Sequence, residues 1–343
     1  MRRISAVLVG LLFMVGIGLL VSGTDVAPGF GEGTAFAYGI GARAIALGGA
    51  FVAVADDTSG SYWNPAGAGY VPGYHLGGMY VPGILSNVAG LSDAFQYINL
   101  SARPVQTGSL SGLGLGITWA NYSISGTLDN NGSMLSDSSS RFLFSLSWTF
   151  GVGDWSLATG TNVKYYVHAM RAGAEAGTAN GFGFDVGILV QGSVADIPVS
   201  FGLVSLDTRE TVLKWHGTRG EPLAYVPWVL KGGVAVSLFD RLVSLSGDIE
   251  YSMPYLQSDT SEPSGLGHVH LGIEVAPIEQ FVLRSGLIVS EDGVTSLSAG
   301  VGLTPWEGIV VDYAYLHKEG RIGGDVHVFS AEFSLSAFGE HQK

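Results

Sequence analysis

The sequence predicts an all-β fold: a transmembrane antiparallel β-barrel of about fourteen strands, with an N-terminal segment set inside the lumen as a hatch. Three observations predict it. Charged residues are only 13% of the 343-residue chain, about half the usual share of a soluble protein, and glycine reaches 52. Mean hydropathy is +0.34, yet beyond the N-terminus there is no run of the roughly 18 apolar residues that a spanning helix needs. The apolar residues instead recur with period two, as they do where lipid-facing and lumen-facing positions alternate along a strand.

Met1-Arg2-Arg3 and the apolar stretch from Ile4 to Val21 have the charged and apolar regions of an export signal, assigned to residues 1–23. Cleavage sites after Gly23, Ala27 or Ala37 all fit, and an uncleaved anchor helix is the alternative. Residues 24–70 form the expected hatch segment, and 71–343 the barrel.

The stretch from Gly39 to Gly67 is dense in Gly and Ala and carries one cation, Arg43, and one acidic pair, Asp56 and Asp57. Gly48-Gly49 allows positive φ at low cost. One or two helical turns are expected at Arg43 to Leu47, a strand-like run at Phe51 to Ala55, and a short capped turn from Asp56 to Tyr62. Asn64-Pro65 stops that turn.

After Tyr70 the alternation is continuous. Phe142, Phe144, Leu146, Trp148 and Phe150 share one face of a strand, opposite Leu143, Ser145, Ser147 and Thr149. Strands are expected near 74–82, 94–103, 110–126, 139–151, 154–170, 178–193, 198–209, 226–239, 242–254, 266–277, 280–290, 293–304, 308–318 and 325–337. An even number suits a single-chain outer-membrane barrel. Short links such as Gly151 to Asp154 and Phe239 to Arg241 suit the periplasmic side, and the polar stretches Asp129 to Ser140 and Met253 to Gly265 the extracellular side. A soluble β-sandwich or propeller also alternates, but its solvated face is rich in Lys and Glu, whereas here that face is Gly, Ser and Thr with a few charges.

Gly41-Ala42-Arg43-Ala44, the run Gly48 to Asp57 and Tyr62-Trp63-Asn64-Pro65-Ala66-Gly67 resemble the N-terminal signature of PorV/PorQ-type outer-membrane proteins, a group related to the FadL transporters of long-chain fatty acids. The resemblance implies a barrel of fourteen strands closed by an inward-folded hatch, in the outer membrane of a diderm bacterium. FadL-type members imply uptake of small hydrophobic molecules, with a moving hatch and a sideways exit through the wall. PorV-type members imply a non-transporting accessory that grips a secretion-machinery or surface protein.

If the apolar series face lipid, their partners line the lumen. Lys164, His168, Asp185, Asp248, Glu250, His268, His270, Glu274, Arg284, Asp312 and Glu332 then point inward, where they form a structural network or handle substrate. A charge on the lipid side at mid-membrane would cost about 2–4 kcal/mol. Arg43 is expected to pair with Asp56 and Asp57 or with Glu274 or Asp312. Together with Gly48, Gly49, Asn64 and Pro65, these make up the expected hatch and gating set. Several tryptophans and tyrosines, among them Trp148, Trp306 and Tyr313, fit an aromatic girdle.

Other chemistry is not expected. The chain has no cysteine and a net charge of −13, against thiolate sites and nucleic-acid binding. His268, His270 and Glu274 are too spread along one strand to share a metal, and no catalytic elbow or phosphate loop occurs, so neither cofactor nor enzyme activity is expected.

Overall fold

The computed structural model describes residues 36, 39–84, 90–104, 110–127, 134–218, 222–253, 267–290, 293–318 and 325–335. The expected export signal and the parts of the two long loops at 129–133 and 254–265 lie outside the described residues.

Period-two patterning becomes long antiparallel strands: β1 (Gly73–Pro82), β2 (Leu91–Arg103), β3 (Leu113–Thr127), β4 (Met134–Val152), β5 (Trp155–Ala172), β6 (Glu175–Val194), β7 (Ile197–Leu206), β8 (Thr211–His216), β9 (Leu223–Val226), β10 (Val229–Leu238), β11 (Val243–Ser252), β12 (Gly267–Ile278), β13 (Phe281–Ser290), β14 (Gly293–Trp306), β15 (Ile309–Lys318) and β16 (Val326–Ser334). Each pairs with its neighbours, and β1 pairs with β16 (Met79 opposite Ser330), which closes the ring. β8 continues the line of β7, and β9 that of β10, so the wall has fourteen strands. Closure removes the two free edges an open sheet would expose.

The side chains sort as the alternation requires. Ile117, Phe144 and Phe184, on β3, β4 and β6, are each more than half exposed on the outer face, whereas Thr118, Leu143 and Asp185 beside them are fully buried. β4 to β6 run for 18 to 20 residues against 10 for β15, so one side of the barrel stands taller at the long-loop end. The stretch Asp129 to Ser140 is correspondingly not all loop: β4 begins at Met134, because Ser136 to Ser140 pair with β3 and β5.

Residues 39–71 carry two short helices, α1 (Ala42–Ala46) and α2 (Gly60–Trp63), and a 3-10 turn (Pro65–Tyr70). Asn64 ends α2 and caps the 3-10 turn, its side chain accepting from Ala66 N, with Pro65 at the first position. The stretch Phe51 to Ala55 is a turn, not the expected strand. Its amides at Phe51 and Val52 donate to the Asp248 carboxylate (2.7 and 2.9 Å), and Ala55 N folds back to Phe51 O, so no ladder partner is needed.

The segment meets strands on every side of the ring from their inner faces. A Cβ placed on Gly77, Gly114, Gly160, Gly202, Gly286 or Gly300 would stand 2.0 to 2.5 Å from segment atoms. Glycine at these wall positions leaves the width of a side chain for a second layer of backbone.

Candidate functional site

A segment without a ladder must satisfy its backbone polar groups by other means. Here the wall supplies them. Ser330 Oγ accepts from Ala42 N, Ser298 donates to Ala46 O, Ser200 donates to Ala53 O, and Glu332 accepts from both Thr58 N and Thr58 Oγ1 at 3.0 Å. Gly48 and Gly49 take φ of +66° and +78° in the tight turn after α1. There Gly48 O meets His270 Nδ1 at 2.7 Å, and His270 Nε2 lies 3.1 Å from Glu250.

Arg43 sits between both of its expected partner sets. Its Nη1 lies 2.6 Å from Asp56 and 3.6 Å from Asp57, and its Nε lies 3.1 Å from Glu274. Asp312 pairs instead with Arg284, which also holds Glu274 at 2.7 Å, so segment and wall share one charged network. Burial pushes the Asp57 carboxyl up to about 7; Arg43 opposes the rise, and Glu332 and Asp56 add to it. Asp57 also accepts from Ser59 N and Oγ just before α2. His268 lies beside His270 with ring centroids 6.3 Å apart, and among the described residues no group of acidic and histidine side chains is placed to hold a metal.

Below the segment, at the short-turn end, a cavity of about 680 Å³ opens. Arg43, Asp56 and Glu274 form its roof, and Ser156, Ser200, Ser237, Ser244 and Ser246 line its walls. Above the segment the inner wall changes character. Met79, Val81, Phe95, Tyr97, Leu316, Val326 and Val328 are buried together with Ile40 and Phe36 of the segment. This corrects the expectation that inward faces are only Gly, Ser, Thr and charges. A second apolar cluster, Tyr166, Leu213, Trp215 and Val226, lies across the lumen. The Arg141 guanidinium stands between them, 3.7 Å over the Phe36 ring and 5.1 Å from that of Tyr166.

Among the described residues the ladder is broken between β6 and the chain that follows β7. β6 pairs with β7 from Val186 onward and with β8 only at Thr178 to Asn180, leaving residues 181–185 without a ladder partner there. That is about 20 Å of strand edge from Asn180 to Val186. One backbone bond, Thr208 N to Phe184 O (2.8 Å), crosses it. Residues 207–212 turn inward and pass over the inner face of β6. A Cβ on Gly181 would meet Val212 O at 2.2 Å, and one on Gly183 would meet Thr211 Oγ1 at 2.3 Å. Asp207, Arg209 and Glu210 all take positive φ in this kink.

A buried charge cluster occupies the concave side of the kink. Lys164 Nζ lies 2.6 Å from Asp185 and 2.8 Å from Asp207, while Tyr166 and Thr211 hydroxyls donate to Asp207. Lys164 and Asp185, which the alternation assigns to the inner face, are buried here and paired with each other. Asp207, Asn162 and Arg141 were missed. The signal for the kink was present in Asp207-Thr208-Arg209-Glu210, four polar residues in succession that interrupt the alternation inside the strand expected at 198–209.

No protein-family model matches the chain, and no curated protein matches it. Solved structures do match. The toluene transporter TbuX of Ralstonia pickettii is 12% identical, with a TM-score of 0.59 over 86% of this chain and 98% of that one. CymD, a monoaromatic hydrocarbon channel, is 14% identical, with a TM-score of 0.60 over 87% and 98%. A FadL homologue of Pseudomonas aeruginosa is 11% identical, with a TM-score of 0.52 over 91% and 100%. At these identities the likeness is one of fold, a closed barrel of fourteen strands.

Proposed function

We propose that the protein is an outer-membrane barrel that takes up small hydrophobic molecules, with residues 39–71 as the hatch and the kink at 207–212 as a sideways exit. The observation that carries the reading is the break in the wall beside the segment, with apolar inner surface on one side of the segment and a serine-lined cavity on the other. An apolar solute gains about 25 cal/mol for each Å² it withdraws from water, and the cluster around Phe36 and Tyr97, packed shut against the segment here, is the apolar surface that movement of the segment would open to it. The cavity below is of mixed lining, its serines and charges set among Leu47, Val54, Trp155 and Leu245. The broken ladder, flanked on the outside by Phe182 and Phe184, offers a way to lipid. The fold shared with proteins described as toluene transporter and monoaromatic hydrocarbon channel supports the same assignment, and its place among FadL-like barrels rests on that fold and on the N-terminal resemblance.

The opposite role, a PorV-like accessory that holds a secretion or surface protein without transporting anything, is favoured by the close fit of the segment against the wall glycines. Reconstitution into liposomes separates the two. Uptake of toluene and of fatty acids is measured for the intact chain and for a chain lacking residues 39–67. Uptake that depends on a hydrophobic solute supports the transporter; no uptake by either form assigns the accessory role.

A further inference from the structure

Asn162 lies on β5, fully buried, at the point where the interior segment meets the kink. Its Nδ2 donates to Ser61 O of α2 at 2.9 Å and to Asp185 Oδ2 at 2.8 Å. Both partners are pure acceptors, which fixes the orientation of the amide: turned over, its oxygen would face two oxygens. The other Asp185 oxygen accepts from Asp207 N at 2.8 Å and from Lys164. One continuous set of hydrogen bonds therefore runs from α2 through Asn162 and Asp185 to the backbone of the kink. Asn162 Oδ1 has no partner of its own, so the side chain is held by its two donor bonds alone.

We infer that Asn162 couples the position of the interior segment to the width of the break between β6 and the kink. The inference deepens the transport reading and rests on it for its purpose. When α2 moves, Ser61 O leaves one hydrogen of the buried Asn162 amide unpaired, and an unpaired buried donor is costly. The amide relieves this by shifting toward a new acceptor, which disturbs the Asp185 carboxylate that holds Asp207 N. The kink responds through its backbone, because one backbone bond crosses the gap and Asp207, Arg209 and Glu210 stand in a left-handed conformation, while Lys164, Tyr166 and Thr211 hold only the Asp207 side chain.

Hydrogen exchange in detergent micelles tests the coupling at amides whose bonds are defined: Gly60, Tyr62 and Asn64 in the segment, and Asp207, Thr208 and Glu210 in the kink. Arg43→Ala loosens the segment at Asp56 and Asp57, without removing any atom that Asn162 contacts. The expected result is exchange about fivefold or more faster at both groups in Arg43→Ala, and loss of the kink effect when Asn162→Leu is added. Unchanged exchange at Asp207, Thr208 and Glu210 in Arg43→Ala overturns the inference, as does a kink response that survives Asn162→Leu. Asn162→Asp, of equal size, repeats the test if Asn162→Leu does not yield a folded barrel. Toluene uptake by the unaltered protein is followed in parallel: if none occurs while the exchange coupling holds, the transport reading fails and the mechanical link remains.

Discussion

At the scale of single residues the balance at Arg43 decides how firmly the segment is held. Three carboxylates surround one guanidinium, and Asp57, buried and with Glu332 and Asp56 adding to the rise, has its pKa raised to about 7 from an ordinary value of 3.8. A folded-state value above the unfolded one means that the packed segment binds the proton more tightly than the released one. The stabilisation it contributes is complete below about pH 4 and is lost as pH rises through 7. Protection factors at Gly60 and Tyr62, corrected for intrinsic exchange, should therefore fall between pH 5 and 8, and Asp57→Asn should flatten the profile. A rise in protection over that range would contradict the assignment. Arg43→Ala leaves Glu274 with Arg284 but Asp56 and Asp57 without their cation. Breaking a buried pair from one side costs about 3–5 kcal/mol, and the part-exposed Asp56 places this case at the low end. The expected readout is raised ion conductance in planar bilayers, with the strand content of the barrel by circular dichroism unchanged.

At the scale of elements the inner wall is built to a clearance. Gly286 on β13 is close enough to the segment that a Cβ would lie 2.2 Å from Gly48 N and from the Leu47 carbonyl carbon. Gly286→Val should therefore push α1 off the wall and raise conductance, at about 1–3 kcal/mol for overpacking. Gly78→Val is the matched control, since a Cβ there would have Tyr97 O as its nearest neighbour at an ordinary 3.5 Å; equal conductance in the two variants would refute the clearance argument. The strands were legible because each carries its own alternation: β12, with Val269, Leu271 and Ile273 against His268, His270 and Gly272, needs no context to be read. The kink was not, because Asp207 is held by Lys164, 43 positions away, and the expected strand ran on to 209 through residues whose polarity only made sense once their partners were known. Phe51 to Ala55 misled for the related reason that its amides are satisfied by Asp248 rather than by a neighbouring strand. Arg43 was legible as a charge in need of partners, but Ser61 O and Asn162 were not, since a backbone carbonyl carries no mark in sequence.

For the molecule as a whole, the outer surface distinguishes a membrane barrel from a soluble one of equal strand number. Ile117, Phe144, Val163 and Phe184 stand directly opposite one another on β3, β4, β5 and β6, all outward and 38% to 55% exposed. A soluble protein rarely leaves so continuous an apolar row uncovered, whereas a bilayer covers it. The two cases respond oppositely to a charge. On a solvated surface Phe144→Arg changes stability by no more than about 0.5 kcal/mol; facing the hydrocarbon midplane it costs about 2–4 kcal/mol. Phe239, 75% exposed in the short turn between β10 and β11, lies outside any such row, so Phe239→Arg should be close to neutral in either setting. Urea titrations of the barrel refolded into liposomes measure both variants against the unaltered protein. A loss of about 2 kcal/mol or more at Phe144 with little change at Phe239 places the row in lipid. Equal, small effects at both positions would place it in water and, with it, remove the lipid into which the proposed exit beside Phe184 would open.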